Sequence, residues 1–222
     1  MRTSRLVAGT LTAGLLGLTP VAIAAPSHAT DNLTTTTVAT PNATEIEYGE
    51  DIYVTTDVDG SDGYGAYKGT STLYALEAGS AAFVPVATAT PGSSFYDVKP
   101  KMNTSYKVVY SGYTATTTYE DNYAPSESAP FTVSVARKIT APDSGFVLKG
   151  KVTPDYAKKK VVVKVSKNAK RGYKAFKTVK TDRRGKYRVE LPKRRGTWYY
   201  SVTVKGDAKF LPNGYVWETK VY

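Results

Sequence analysis

The chain contains no cysteine among its 222 residues, so it can form no disulfide and offers no thiol chemistry. Its single histidine, His28, lies close to the amino terminus. Ser–His and Cys–His catalysis, and zinc sites built from His or Cys, therefore lack residues in the rest of the chain. Small secreted domains often depend on disulfides, so this chain must be stabilised by burial of apolar side chains instead.

Long apolar segments are also scarce. The only extended one, Leu6–Leu18, follows two arginines and precedes a stretch of small residues. It is shorter than the ~20 residues of a membrane-spanning helix, and the pattern is that of a secretory signal peptide. We expect residues 1–29 to be a signal peptide that is cleaved after Ala29 or, alternatively, after Ala24. The mature protein is then expected to be secreted or cell-wall associated, extracellular, and without a membrane span.

Charge is distributed unevenly along the remaining chain. Residues 30–136 hold 4 basic and 13 acidic side chains, a net charge of −9, whereas residues 137–222 hold 24 and 6, a net charge of +18. Such asymmetry predicts two modules with different partners, or modules that attract each other. We expect the acidic loops Asp57–Asp62 or Glu120–Asp121 to contact the basic module, in a loose, intramolecular association of exposed charges.

Helical periodicity is absent, and alternation of polar and apolar residues with a period of two predicts β-strands throughout. Turn residues separate the strands at intervals that are typical of β-sandwiches. In the first half the predicted strands are Ile52–Val58, Thr70–Glu77, Phe83–Ala89, Phe95–Val98, Tyr106–Tyr110 and Pro130–Val135. In the second half they are Phe146–Val152, Lys160–Ser166, Tyr173–Val179, Lys186–Leu191, Trp198–Lys205 and Tyr215–Val221.

The two sets of strands match in order, which indicates an internal repeat. Ile52–Val58 aligns with Phe146–Val152, and Tyr106–Gly112 aligns with Tyr200–Gly206. Aligned positions share the same alternation, so they are expected to face equivalent cores. The repeat predicts an acidic domain at residues 30–136 and a basic domain at residues 137–222.

Four short motifs carry a resemblance to a known class of module. They are Gly49–Ile52 at the start of a strand, Asn103–Tyr106 before the penultimate strand, Tyr123–Ser126 before the last strand, and the Thr181–Tyr187 turn. On these motifs both copies resemble the immunoglobulin-like β-sandwich repeats of secreted actinobacterial proteins. The resemblance implies an all-β fold of two tandem immunoglobulin-like sandwiches. It implies no single function, because such modules serve as spacers, binders and enzyme appendages.

Catalytic and metal-binding patterns are weak. The acids of the first half show no arrangement that places two carboxylates across a cleft, as glycoside hydrolysis requires. Asp57–Gly63 alternates oxygen ligands as a calcium loop does, but Ser61 stands at its fifth position and no Glu stands at its twelfth. We interpret it as a solvated turn. The chain is predicted not to be an enzyme, with no catalytic residues, no metal site and no cofactor.

Basic residues of the second half give the strongest functional signal. Lys149 and Lys151 alternate with core residues in one strand, as Lys186 and Arg188 do in another, and these strands are neighbours in a sandwich. Solubility and edge protection explain scattered lysines, but a charge of +18 on 86 residues destabilises the compact state by self-repulsion. The predicted polyanion-binding residues are Lys149, Lys151, Arg183, Arg184, Lys186, Arg188, Lys193, Arg194 and Arg195.

The sequence therefore predicts a secreted, non-enzymatic protein that associates electrostatically with anionic cell-envelope polymers. The partner would be an anionic wall polymer or polysaccharide such as a teichoic acid; a secreted location disfavours nucleic acid. The alternatives are an accessory or inhibitor protein of a secreted enzyme, and an adhesion or glycan-binding protein.

The glycan-binding alternative rests on the tyrosine-rich first domain. Tyrosines at core positions are expected to be structural, namely Tyr106, Tyr110, Tyr187, Tyr200 and Tyr215. Those at outward or loop positions are candidates for stacking on sugar rings, or for aromatic pairing across strands, namely Tyr53, Tyr64, Tyr67, Tyr113 and Tyr119.

Overall fold

The computed structural model describes residues 30–222, which form 18 β-strands and no helix. The predicted signal peptide, residues 1–29, lies outside the described residues. Within 30–222 there is no helix with the length and apolar character needed to cross a membrane. The prediction of an all-β chain is confirmed.

The first domain is a sandwich of two sheets. One sheet has the order β2-β4-β7, and the other has the order β3-β11-β8-β5-β6, with β10 also paired to β8. β1 and β9 form a separate parallel pair. The strands are β1 (Asn32–Leu33), β2 (Thr35–Pro41), β3 (Glu45–Glu47), β4 (Ile52–Gly60), β5 (Ser71–Glu77), β6 (Val84–Ala89), β7 (Phe95–Val98), β8 (Thr104–Tyr110), β9 (Asn122–Tyr123), β10 (Ser126–Glu127) and β11 (Phe131–Ala136).

The second domain repeats this plan with fewer strands. Its sheets have the orders β12-β13-β16 and β15-β14-β17-β18. The strands are β12 (Lys138–Ile139), β13 (Val147–Thr153), β14 (Lys160–Ser166), β15 (Lys174–Lys180), β16 (Lys186–Glu190), β17 (Gly196–Val204) and β18 (Asn213–Val221).

Strand order identifies both domains as immunoglobulin-like. In each domain one sheet pairs three strands, while the penultimate and last strands share the other sheet with the two strands of a hairpin, β5–β6 or β14–β15. Constant-type immunoglobulin domains place the strand equivalent to β6 or β15 on the opposite sheet. Both domains are therefore immunoglobulin-like sandwiches in which that edge strand has changed sheets. The predicted fold of two tandem sandwiches is confirmed.

The predicted alternation of core and surface residues is also correct. Val108 and Val202 occupy equivalent positions on β8 and β17, and both are completely buried. Thr203, the next residue along β17, is half-buried and faces outward. The predicted core tyrosines are buried, apart from Tyr215, which is half-buried and packs against the second core.

This alternation gives a direct test of the register. Val202→Asp places a carboxylate without a partner in the core, so we expect it to lower the free energy of unfolding by more than about 4 kcal/mol. Thr203→Asp adds the same charge at an outward position and should change stability by less than about 1 kcal/mol. Urea denaturation of both variants measures the difference; the reverse ranking would show that the register is wrong.

The two domains meet at the side chain of Arg137, which lies between β11 and β12 and is only 2% exposed. Its Nε donates to the carbonyl of Pro154 at 3.0 Å, and its terminal nitrogen donates to Asp207 at 2.8 Å. The guanidinium carbon lies 5.1 Å from the ring centroid of Tyr156 and 4.2 Å from that of Phe210. A residue of the linker is thus enclosed by the second domain.

The loop between β17 and β18 reaches from the second domain into the first. Phe210 is 3% exposed and belongs to the hydrophobic core of the first domain. The Leu211 amide donates to the carbonyl of Val135 at 2.8 Å, and the Asn103 amide donates to the carbonyl of Lys209 at 2.8 Å. The interface therefore combines the buried charge of Arg137 with the apolar ring of Phe210, and backbone hydrogen bonds lie beside them.

The acidic loops that were predicted to contact the second domain lie elsewhere in the first domain. β4 begins in the core that includes Phe210 and ends in a separate cluster around Tyr110 and Tyr123, so Asp57–Asp62 lies at the far end of the sandwich. Glu120 likewise bonds Lys68, Tyr113 and Thr116 within the first domain.

The acidic residue of the first domain that contacts the second domain is Glu47. It lies 3.6 Å from the ammonium of Lys138 and accepts a hydrogen bond from Asn213 at 3.2 Å. Glu47 reaches the second domain because β3 runs beside β11, the strand that leads directly into the linker.

Phe210 should stabilise a domain to which it does not belong in sequence. Phe210→Ala removes a large buried side chain, so we expect a loss of about 3–5 kcal/mol and faster hydrogen exchange at the Val108 and Val133 amides of the first domain. Lys209→Ala, an exposed change in the same loop, is the matched control and should alter neither quantity. Unchanged exchange in Phe210→Ala would contradict the proposed packing.

Asp207 makes the interface sensitive to acid. Partial burial raises the pKa of Asp207, but hydrogen bonds from Arg137, Lys159 and the Lys209 amide outweigh it and lower the pKa from 3.8 to about 2. A carboxyl with a lowered pKa in the folded state stabilises the fold above its unfolded pKa and loses this contribution as pH falls.

We therefore expect stability to fall between about pH 4 and pH 2 more steeply in the natural chain than in Asp207→Asn. Urea denaturation at pH 6 and pH 3 measures the effect, with Asp143→Asn, an exposed aspartate of the same domain, as the control. Parallel pH profiles for all three proteins would contradict a role for Asp207.

Candidate functional site

The four predicted cations of β13 and β16 lie together on the outer surface of the second domain. The two strands are antiparallel neighbours in which Lys149 is paired directly with Arg188, and Lys151 with Lys186. All four side chains are exposed. Because paired strands are about 4.8 Å apart, these residues form a two-by-two group, which we call the basic face.

A tight turn positions further cations at one end of the basic face. The Asp182 carboxylate accepts hydrogen bonds from the amides of Arg184 at 2.7 Å and Lys186 at 2.9 Å. The bond from Lys186 is the main cause of a lowered pKa at Asp182. Gly185 has a φ of +77°, and a Cβ there would lie 2.5 Å from the carbonyl of Val152, so only glycine fits.

Cations extend without a break from this turn onto the face. Arg183, Arg184 and Lys151 line a recess of about 310 Å³. Lys151 also lines a second, shallower recess of about 320 Å³ with Lys149 and Lys186. Arg188 joins this group because it is paired with Lys149. Six of the nine predicted residues therefore form one continuous array, namely Lys149, Lys151, Arg183, Arg184, Lys186 and Arg188.

The remaining three predicted residues lie at the opposite end, after β16. The ammonium of Lys193 is 6.0 Å from the ring centroid of Phe146, the residue before β13. Arg194 differs from the others: it is half-buried, with its guanidinium carbon 4.8 Å from the ring of Trp198 and 6.0 Å from that of Phe176. Arg195 is exposed. Arg194 is thus engaged by aromatic rings, while Lys193 and Arg195 extend the basic surface.

Few carboxylates offset the basic face. Arg188 forms an exposed ion pair with Glu190 at 3.3 Å. Among residues 30–222, no carboxylate lies within 4 Å of Lys149, Lys151 or Lys186. Like charges directly opposite each other on neighbouring strands destabilise a sheet. An anionic partner across this face would relieve that repulsion.

The structure also reveals a second cationic site, which the sequence analysis missed. A cavity of about 670 Å³ on the other sheet is lined by five lysines. We call it the lysine groove; its lysines are Lys158, Lys159, Lys160, Lys180 and Lys205. The run Lys158–Lys160 was visible in the sequence, but its two distant partners follow only from the strand register.

Most of the tyrosines that were predicted to lie at outward or loop positions are exposed. Tyr53 and Tyr96 are 44% and 71% exposed, and their rings are 6.1 Å apart on neighbouring strands. Aromatic pairing across strands is therefore present at this position. Tyr64, Tyr67 and Tyr119 are also exposed, whereas Tyr113 is half-buried and donates its hydroxyl hydrogen bond to Glu120.

The acidic turn of the first domain shows no metal-binding geometry. In the part of the chain that the structure describes, no three Asp, Glu, His or Cys side chains are grouped closely enough to hold a metal ion. Asp62 accepts a hydrogen bond from the Tyr64 amide at 3.1 Å, an arrangement that stabilises a turn.

Comparison with known proteins gives structural likenesses alone. No protein-family model and no curated protein matches the chain. Among solved structures, a two-domain fibronectin type-III segment of chicken tenascin is similar at 13% identity and a TM-score of 0.39, covering 85% of this chain and 98% of its own. A marsupial T cell receptor is similar at 9% identity and a TM-score of 0.35, covering 83% and 96%.

The fibronectin domains FN1–FN3 of chicken CNTN1 are similar at 12% identity and a TM-score of 0.28, covering 84% of this chain and 65% of theirs. Likenesses at these identities and TM-scores carry no functional argument. The immunoglobulin-like fold by itself fixes no single function.

Proposed function

We propose that this chain is a secreted, non-enzymatic protein that associates electrostatically with anionic polymers of the cell envelope through its second domain. The observation that carries the proposal is the direct pairing of Lys149 with Arg188 and of Lys151 with Lys186. This pairing places four exposed cations on one flat sheet surface, with Glu190 as the only carboxylate within 4 Å of them among residues 30–222.

The extent of the cationic surface favours a polymer over a small anion. β13 has seven residues and is therefore about 23 Å long, with Arg183 and Arg184 near one end and Lys193 near the other. A chain with regularly spaced negative charges could contact several of these cations at once. Release of its bound counterions would then supply much of the binding free energy.

The charge difference between the domains supports an oriented association. Residues 30–136 have a net charge of −9 and would be repelled by an anionic polymer, whereas residues 137–222 have a net charge of +18. Arg137 and Phe210 hold the two domains together. The second domain would therefore lie against the polymer, and the first would project away from it.

Replacing Lys149, Lys151, Lys186 and Arg188 by Gln tests the proposal. We expect retention on purified cell wall and on heparin to weaken, with a salt dependence at least two units shallower in a plot of log K against log salt concentration. The matched control replaces Lys164, Lys170, Lys174 and Lys177 by Gln, which removes the same charge from exposed positions elsewhere in the domain. Equal weakening by both sets would show that only net charge matters.

A second candidate function, glycan binding by the first domain, is favoured by the exposed pair of Tyr53 and Tyr96. Stacking of sugar rings on tyrosine depends little on salt, so the same retention experiment separates the two functions. Retention that persists at high salt and is lost in Tyr53→Ala with Tyr96→Ala would favour glycan binding and contradict the electrostatic proposal.

A further inference from the structure

The lysine groove is built around three lysines that lie side by side on neighbouring strands. Lys160 begins β14 and is paired directly with Lys180 at the end of β15. On its other side, the pairing of Val161 with Val204 places Lys160 opposite Lys205, just beyond β17. The three exposed residues therefore form a row across the edge of the sheet, with a spacing of about 4.8 Å between strands.

The loop before β14 adds two more lysines to this row. The Lys158 amide donates to the carbonyl of Asp182 at 3.3 Å, and the Lys159 amide donates to the hydroxyl of Thr181 at 3.2 Å. Lys158 has a φ of +57°, a left-handed conformation that is uncommon for a residue other than glycine. The backbone of this loop is thus held in place, and both lysines line the cavity.

Apart from Asp207, uncharged residues form the remainder of the cavity wall. Val162 and Thr203 follow Lys160 and Lys205 on the outer side of the sheet and are paired with each other. Pro212 is an exposed residue of the cavity wall, and Tyr156 and Val204 are buried beneath the cavity. The cavity therefore combines a cationic edge with a largely apolar floor.

A single carboxylate, Asp207, lines the cavity with these five lysines. It lies 3.2 Å from the ammonium of Lys159 and 2.8 Å from Arg137. Because Asp207 also pairs with the buried Arg137, it cannot neutralise the row formed by Lys160, Lys180 and Lys205. Several positive charges remain unbalanced beside an apolar surface, in a volume typical of small-molecule sites.

We propose that the lysine groove binds a phosphate monoester whose organic part is apolar. The dianionic phosphate would be held by ammonium groups of the row Lys180–Lys160–Lys205, since lysine binds phosphate as a point charge. The apolar part would lie on Val162 and Pro212. This site lies on a different sheet from the basic face, so it stands independently of the proposed polymer binding.

Nuclear magnetic resonance titration of the full chain with octyl phosphate, below its micelle concentration, tests this proposal. We expect saturable shifts at the amides of Val162, Thr203 and Gly206, with an affinity at least ten times that for inorganic phosphate. Lys160→Gln combined with Lys205→Gln should weaken octyl phosphate binding at least fivefold. The control, Lys164→Gln combined with Lys220→Gln, removes two exposed charges from the same strand and sheet and should leave the affinity unchanged.

Three outcomes would each overturn the proposal. They are an absence of saturable shifts, equal weakening of binding by both variant pairs, and equal affinity for octyl phosphate and inorganic phosphate. The variant with four Gln replacements on the basic face should bind octyl phosphate normally, which separates failure of the groove from failure of polymer binding.

Vesicles containing phosphatidic acid identify the source of the phosphate monoester. Vesicle binding that depends on Lys160 and Lys205 would support a lipid head group. Octyl phosphate binding without vesicle binding would support a soluble ester.

Discussion

Burial of the Arg137 guanidinium is the constraint on which the arrangement of the two domains depends. A buried charge costs several kcal/mol unless it is paired and hydrogen-bonded. Here the cost is partly offset by Asp207, by the Pro154 carbonyl and by the rings of Tyr156 and Phe210, while one terminal nitrogen of Arg137 is buried without a hydrogen-bond partner. These partners come from two loops of the second domain, one between β13 and β14 and the other between β17 and β18, and together they fix the geometry of the linker residue. Phe210 then adds apolar burial in the first domain, which the charge pair alone does not supply.

Most of the fold follows from local sequence patterns. β7 and β14 have the predicted bounds, and the other predicted strands differ from the observed ones by a few residues, because alternation over four or more residues indicates a strand. Short strands such as β1, β3 and β12 were missed, since two or three residues show no period. The interface was missed for another reason. Phe210 reads as a loop residue, and no local pattern reveals that its ring enters the core of the other domain.

The two candidate sites also differ in how far they could be predicted from the sequence. The basic face was predictable because each of its strands alternates cations with buried residues, and their adjacency is a property of the immunoglobulin-like sandwich. The lysine groove requires the register of three strands, with Lys180 and Lys205 meeting Lys160 from different parts of the chain. Only the run Lys158–Lys160 was visible, and a short run of lysines alone is equally consistent with a solvated loop.

The two cationic sites also differ in shape, and shape decides what each can hold. The basic face is an open sheet surface, so a long polyanion can lie across it and contact several cations in succession. The lysine groove is a cavity of about 670 Å³ lined by the Lys158–Lys159 loop, Asp207 and Pro212, a size that suits a compact ligand. Because Asp207 belongs both to the groove and to the Arg137 interface, the same salt bridge that positions the domains also shapes the groove. The second domain can therefore carry two anion sites of different selectivity, since each sheet presents its own arrangement of cations.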